Sequence, residues 1–123
     1  MMKVLIVDDA STVRMYHRNV LEAAGYVVDE AVNGLEALEK ALENTFDLYI
    51  VDINMPKMDG YEFLRQLRSE DIDQAPAIMV STEAAELDHT KAFTAGANLY
   101  MVKPIKPLQM MTYVRLLVGE ESV

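Results

Sequence analysis

The sequence predicts an α/β fold with a parallel sheet, and three observations carry that expectation. Short continuous apolar runs such as Val4-Leu5-Ile6-Val7 suit strands covered on both faces, which is the pattern of parallel rather than antiparallel sheets. Between them lie stretches of 3.6-residue periodicity, so strand and helix signals alternate five times. Glycine, asparagine and proline stand at the changeovers, where chain reversals need them. Repeated βα units imply right-handed crossovers with helices on both faces of one sheet.

The first strand spans 3–7, and a helix from about Ser11 to Ala24 follows, with Val13, His17, Val20, Leu21 and Ala24 on one stripe and Gly25 as its terminator. A weaker strand, Val27-Val28-Asp29-Glu30, precedes a helix over 34–44. There Asn33 can cap, Glu36 sits three residues on, and Leu35, Leu38, Ala41 and Leu42 form the apolar face. Strand 47–51 leads through a loop containing Pro56 to a helix over 60–69, capped by Asp59 and turned inward through Phe63, Leu64 and Leu67. A polar connection, 69–76, joins this to strand 77–80 and a helix of roughly 84–95 closed by Gly96. Strand 98–102 ends in Lys103-Pro104, and Pro107 is placed to start the last helix, 107–118. Residues 1–123 read as one domain with a frayed tail over 119–123.

Composition narrows the function. With 51% hydrophobic and 25% charged residues the chain has the make-up of a soluble globular protein. Met1-Met2-Lys3 runs straight into a strand, so no signal peptide is expected, and no apolar stretch is long enough to span a membrane. The absence of cysteine removes thiolate catalysis and zinc–thiolate sites and suits a reducing cytoplasm, the expected location. A net charge of −9 argues against direct nucleic-acid binding and favours a basic partner surface or a divalent cation.

The chemistry lies where the strands end. Those endings read Asp8-Asp9, Asp52, Ser81-Thr82 and Lys103, and a parallel sheet brings all its carboxyl ends to one edge. Ligands of open α/β sheets bind beyond that edge, where the strand order reverses. Two carboxylates about 4 Å apart repel by roughly 4 kcal/mol at an effective dielectric near 20, so three of them call for cations. Lys103 offers one. Magnesium is the expected other, because it prefers carboxylates, water and phosphoryl oxygen, and neither His17 nor His89 stands at a strand end. A carboxylate beside such an ion can act as nucleophile toward phosphorus, with the metal, Lys103 and the Ser81 hydroxyl neutralising the transferred oxygens.

On these residues the chain resembles the response-regulator receiver domains of the CheY type, over essentially its whole length. The resemblance implies a flavodoxin-like sheet of order 2-1-3-4-5. It further implies that Asp8 and Asp9 are the magnesium-binding acidic pair and that Asp52 is the phosphoacceptor and a metal ligand. Asn54 would ligate the metal through its backbone carbonyl, within DINMPKMDG, which is similar to the family's D-x-x-M-P-x-M-D-G. Ser81 takes the place of the switch hydroxyl and Tyr100 that of the aromatic that changes rotamer. Lys103 would contact the phosphoryl group, followed by a usually cis Pro104. Asn54 and Glu83 hold the positions that tune acyl-phosphate hydrolysis. Thr82 departs from the family's usual Ala or Gly and bears on the same rates, while Ile105 replaces a frequent Phe.

The segment DDASTVRMYHRNVL is similar to stand-alone chemotaxis regulators. Likeness to that family implies a phosphorylation switch and not an enzyme acting on outside substrates. The donor would be a histidine kinase or an HPt domain, and the target a flagellar motor switch component or a phosphotransfer protein. That target would be met through the fourth helix, fifth strand and fifth helix, where Lys91, Tyr100, Lys106 and Gln109 are the expected exposed residues. The chain would be a monomer, with dimerisation on phosphorylation the open alternative, as is a phosphorelay or adaptor role. Plainer roles stand beside these: Asp8-Asp9 as a helix cap, Asp52 as a turn former, Ser81 as a cap, Lys103 as a solvated lysine and Tyr100 as half-buried packing. His17 is expected packed, His89 exposed, the methionines as core filler, and Asp71 and Asp73 in a solvated loop. A magnesium-dependent phosphatase of the haloacid-dehalogenase type would want D-x-D and a cap insertion, and a pseudo-receiver would lack part of the acidic set.

Overall fold

The computed structural model describes residues 2–82 and 86–119. Five strands alternate with five helices: β1 (Lys3–Val7), α1 (Ser11–Ala23), β2 (Val27–Ala31), α2 (Gly34–Glu43), β3 (Leu48–Asp52), α3 (Gly60–Ser69), β4 (Ala77–Ser81), α4 (Glu86–Ala95), β5 (Leu99–Val102) and α5 (Pro107–Val118). All pairings are parallel and the sheet order is β2-β1-β3-β4-β5, as expected. The order reverses between β1 and β3, where Val7 pairs with Val51 and the chain then runs into Asp8 and Asp52. Residues 84 and 85 of the expected fourth helix, and the tail beyond Gly119, lie outside the described residues.

Alternation along each strand divides the core in two. Val4 and Ile6 of β1 pack with Leu21, Met110, Met111 and Val114 of α1 and α5 on one face. Leu5 and Val7 pack with Ala37, Leu38, Phe63, Leu64, Leu67 and Ala92 of α2, α3 and α4 on the other. This two-sided burial is what the unbroken apolar runs require.

The caps form as the sequence suggests. The Asn33 side chain accepts from the Glu36 amide at 2.8 Å, and Asp59 accepts from the Glu62 amide at 2.9 Å. Pro107 opens α5, and Gly25 follows α1 with a φ of 95°. The faces of two helices differ from expectation. Leu35 and Leu42 are 44% and 48% exposed, and the inward stripe of α2 is Gly34, Ala37, Leu38 and Ala41. The cause is Gly34: its amide donates to the Met58 carbonyl, and a Cβ there would lie 2.6 Å from that oxygen. Seating Gly34 inward rotates Leu35 and Leu42, each one residue on, about 100° away. Ala24 likewise is an exposed C-cap and no part of the α1 stripe.

At the amino edge of the sheet Arg68 of α3 ties three segments together. Its guanidinium donates to the Gly96 carbonyl at 3.0 and 3.1 Å and to the Ala75 carbonyl at 2.7 Å. Gly96, with a φ of 120°, has room for no side chain there, since a Cβ would meet Arg68 Cγ at 2.7 Å. Burial pulls the guanidinium below its ordinary pKa, and the carbonyl oxygens replace the water it loses.

Candidate functional site

Asp8 continues β1 by one residue, and its amide donates to the Ala31 carbonyl of β2 at 3.1 Å. Its carbonyl accepts from Arg14 at 2.7 Å, while Arg14 is held by Glu30 at 2.9 Å. The Asp8 carboxylate accepts from the Ala10 amide at 2.9 Å. These bonds fix the strand end before any ligand is considered. Asp52 is the last residue of β3, one position later than the periodicity suggests, because Asp52 still pairs with Val80 of β4. Behind it, Gly60 donates to the Ile53 carbonyl at 2.9 Å, and a Cβ on Gly60 would sit 2.4 Å from the Asp52 carbonyl. The glycine of MDG is therefore the residue that lets α3 start against the end of β3.

One carboxylate oxygen each from Asp8, Asp9 and Asp52 lies within 4.8 Å of the other two. Asp8 and Asp52 are buried and Asp9 faces solvent. Lys103 reaches in from the end of β5, with Nζ 2.9 Å from Asp8 Oδ2 and 3.3 Å from Asp52 Oδ1. The Lys103 amide is held by the Ser81 carbonyl at 2.8 Å, and the Lys103–Pro104 bond is cis, as the resemblance implies. Burial pulls the Lys103 ammonium down, but its hydrogen bond to Asp8 and the charges of Asp52 and Asp8 prevail and hold it above its usual value. Asp52 is pushed up to about 6, first by burial and then by the charge of Asp8, against the pull of Lys103. One ammonium does not satisfy three carboxylates. The oxygen-only donor set fits a hard divalent cation.

The other expected residues are spread around this centre. Ser81 is buried at the end of β4, directly after the partner of Asp52. Thr82 and Asn54 are exposed, and Glu83 lies outside the described residues. Lys91 on α4, and Lys106 and Gln109 at the start of α5, are exposed. Tyr100 is half-buried rather than exposed, because its ring lies on the imidazole of His89, centroid to centroid 4.1 Å. His89 is correspondingly half-buried, against the expectation of an exposed helix residue. An exposed helix position and one covered by a neighbouring strand share the same local sequence signal.

A feature the sequence did not announce borders the acidic centre. Thr12, Val13, Tyr16, His17, Thr82, Lys103, Pro104 and Ile105 line a largely apolar groove of about 430 Å³. Tyr16 closes one side by donating to the Ile105 carbonyl at 3.0 Å. His17, packed as expected, is 3% exposed, and its Nδ1 has no hydrogen-bond partner among the described residues. Burial lowers its pKa to about 4, with Asp8 opposing and Lys103 assisting.

A family model described as the response regulator receiver domain matches residues 4–115. The chain belongs to that family. As a receiver domain it is 38% identical over 120 residues to the transcriptional regulatory protein ResD of Bacillus subtilis, covering 98% of this chain and 49% of ResD. It is 35% identical over 115 residues to SrrA of Staphylococcus aureus, covering 94% and 47%. The chain thus spans about half the length of these curated relatives. Among solved structures, chemotaxis protein CheY4 of Vibrio cholerae superposes with a TM-score of 0.90 at 36% identity, covering 95% of this receiver domain and 98% of CheY4. A CheY-like receiver domain protein of Methanospirillum hungatei gives 0.88 at 29%, covering 94% and 92%. No helix among the described residues is long and apolar enough to cross a membrane.

Proposed function

We propose that this receiver domain is a phosphorylation-controlled switch, comprising residues 1–123 as one unit, with Asp52 as phosphoacceptor. The observation that carries the reading is the convergence of Asp8, Asp9, Asp52 and Lys103 on one point beyond the sheet. Asp8, Asp52 and the Asn54 backbone carbonyl would hold magnesium, with Asp9 acting through water. The bound ion would supply charge neutralisation for the phosphoryl oxygens. A carboxylate oxygen of Asp52 attacks phosphorus of a phosphohistidine on a histidine kinase or HPt domain. The new O–P bond forms as the P–N bond breaks, and the departing imidazole nitrogen keeps the electron pair and takes a proton. Lys103 moves from its carboxylate partners toward the added charge, and Ser81 donates its hydroxyl to the same group. Asn54, Thr82 and Glu83 set how readily water removes the phosphoryl group.

The output reading is a shift of the α4–β5–α5 surface, with Tyr100 moving inward and Lys91 and Lys106 meeting a protein partner. A chemotaxis-type role is supported by the likeness to the chemotaxis protein CheY4, and a place in the cytoplasm accords with the absence of cysteine. The partner would then be a motor switch component, or a phosphotransfer protein in a relay, met by a monomer. A second reading, favoured by ResD and SrrA, is the receiver part of a transcriptional regulator that dimerises through the same surface on phosphorylation. The net charge of −9 leaves any DNA contact in that case to other parts of the protein.

Incubation with acetyl phosphate and magnesium tests the chemistry. A labile phosphoryl adduct that is absent from Asp52→Asn is expected. Multiple turnover of varied phosphate esters would point to a phosphatase, and inertness to a pseudo-receiver. Pull-downs with and without beryllofluoride then separate motor, relay and transcriptional partners.

A further inference from the structure

The corner formed by α3, α4 and β5 holds two polar atoms that the fold buries and leaves without a hydrogen bond among the described residues, Tyr61 Oη and His89 Nε2. Of these two side chains, His89 lies directly against Tyr100. The His89 imidazole lies over the Tyr100 ring at 4.1 Å with the planes 31° apart, close to an offset stack. Tyr61 and Tyr100 pack onto the same core cluster, and the charges of Asp88 and Tyr100 add to burial in raising the Tyr61 phenol. A residue needed only to fill this space would be Leu or Ile, which bury as much volume with no polar atom to satisfy. Position 89 carries an imidazole with one nitrogen buried and unpartnered. Native structures do not bury such atoms freely, and the group that gains from this one is the ring stacked on it.

We propose that His89 is a positioning residue for Tyr100: the face of its imidazole holds the phenol ring in the half-buried place it occupies in this structure and sets how readily that ring leaves it. The proposal rests on the reading of Asp52 as phosphoacceptor and Tyr100 as the ring that moves. The unpartnered nitrogen and phenol make the resting corner incompletely satisfied, so it is a holding position and not a deep well. His89 acts through Tyr100, whose ring it faces.

Fluorotyrosine-labelled chain of residues 1–123, with the Tyr100 signal identified by Tyr100→Phe, reports the ring's place by ¹⁹F NMR. Wild type, His89→Gln and His89→Phe are compared with and without magnesium and beryllofluoride, and formation of the adduct is read separately from its own fluorine signal. Gln keeps the helix and removes the ring; Phe keeps the ring. The expected result is that His89→Gln, without beryllofluoride, shifts the ratio of the two Tyr100 places about two- to tenfold toward the treated wild-type position, the size expected for a lost aromatic pair. His89→Phe stays within twofold of wild type, and all three take up beryllofluoride alike. A Tyr100 signal unmoved in His89→Gln, or moved equally in His89→Phe, overturns the proposal while leaving the switch intact. Failure of the wild type to form the adduct, or an adduct that leaves Tyr100 in place, removes the switch reading and the proposal with it.

Discussion

At the scale of single residues, the acidic centre is a place where charge costs stability. Asp52 has a pKa near 6 in the folded chain against an ordinary 3.8, so the folded state holds its proton more tightly than the unfolded one. Its contribution is therefore most favourable below pH 4 and is lost as the pH rises through 6, by about 2–3 kcal/mol. Metal-free Asp52→Asn is expected to be more stable than wild type at pH 8 by about 1–3 kcal/mol, with the gap closing below pH 4, in urea melts across that range. His17 runs the other way. Its pKa of about 4 lies below the unfolded 6.5, so full stability is present above pH 6.5 and is lost as the pH falls toward 4. The His17→Leu variant, compared with wild type, should gain about 2–3 kcal/mol between pH 7 and 4. The convergence of Asp8, Asp9, Asp52 and Lys103 was legible in the sequence because strand ends in a parallel sheet share an edge. The exposure of His89 was not, since what covers it is a strand residue eleven positions later in the chain.

At the scale of elements, strands were legible and helix rotation less so. Apolar runs covered on both faces announce themselves, but which side of α2 faces inward depends on the approach of Gly34 to Met58, a contact between segments distant in sequence. The same kind of contact places α3. Gly60→Ala would set a Cβ 2.4 Å from the Asp52 carbonyl, a backbone atom that cannot swing aside. A loss of about 1–3 kcal/mol in chemical denaturation is expected, as for other overpacked sites, together with weaker magnesium binding because the end of β3 must shift. Asn33→Ala removes the cap of α2 and should cost about 1 kcal/mol in the same measurement without affecting magnesium.

At the scale of the whole molecule, the proposed magnesium site would couple binding to folding through the carboxyl edge. Magnesium at a hundred times its dissociation constant should raise stability by about 2.7 kcal/mol, seen as an upward shift in the thermal midpoint. Asp8→Asn should largely abolish that shift. The two edges of the sheet are built differently. The carboxyl edge carries mutually repelling acids, whereas the amino edge is fastened by the Arg68 guanidinium to the carbonyls of Gly96 and Ala75. α4, ten residues and so about 15 Å long, is thereby tethered just past its last turn. Any reorientation of α4 has its fulcrum at Gly96, and a tilt of about 10° sweeps the first turn through roughly 2–3 Å while the last scarcely stirs. An arginine at the amino edge thus sets the end about which that helix would pivot.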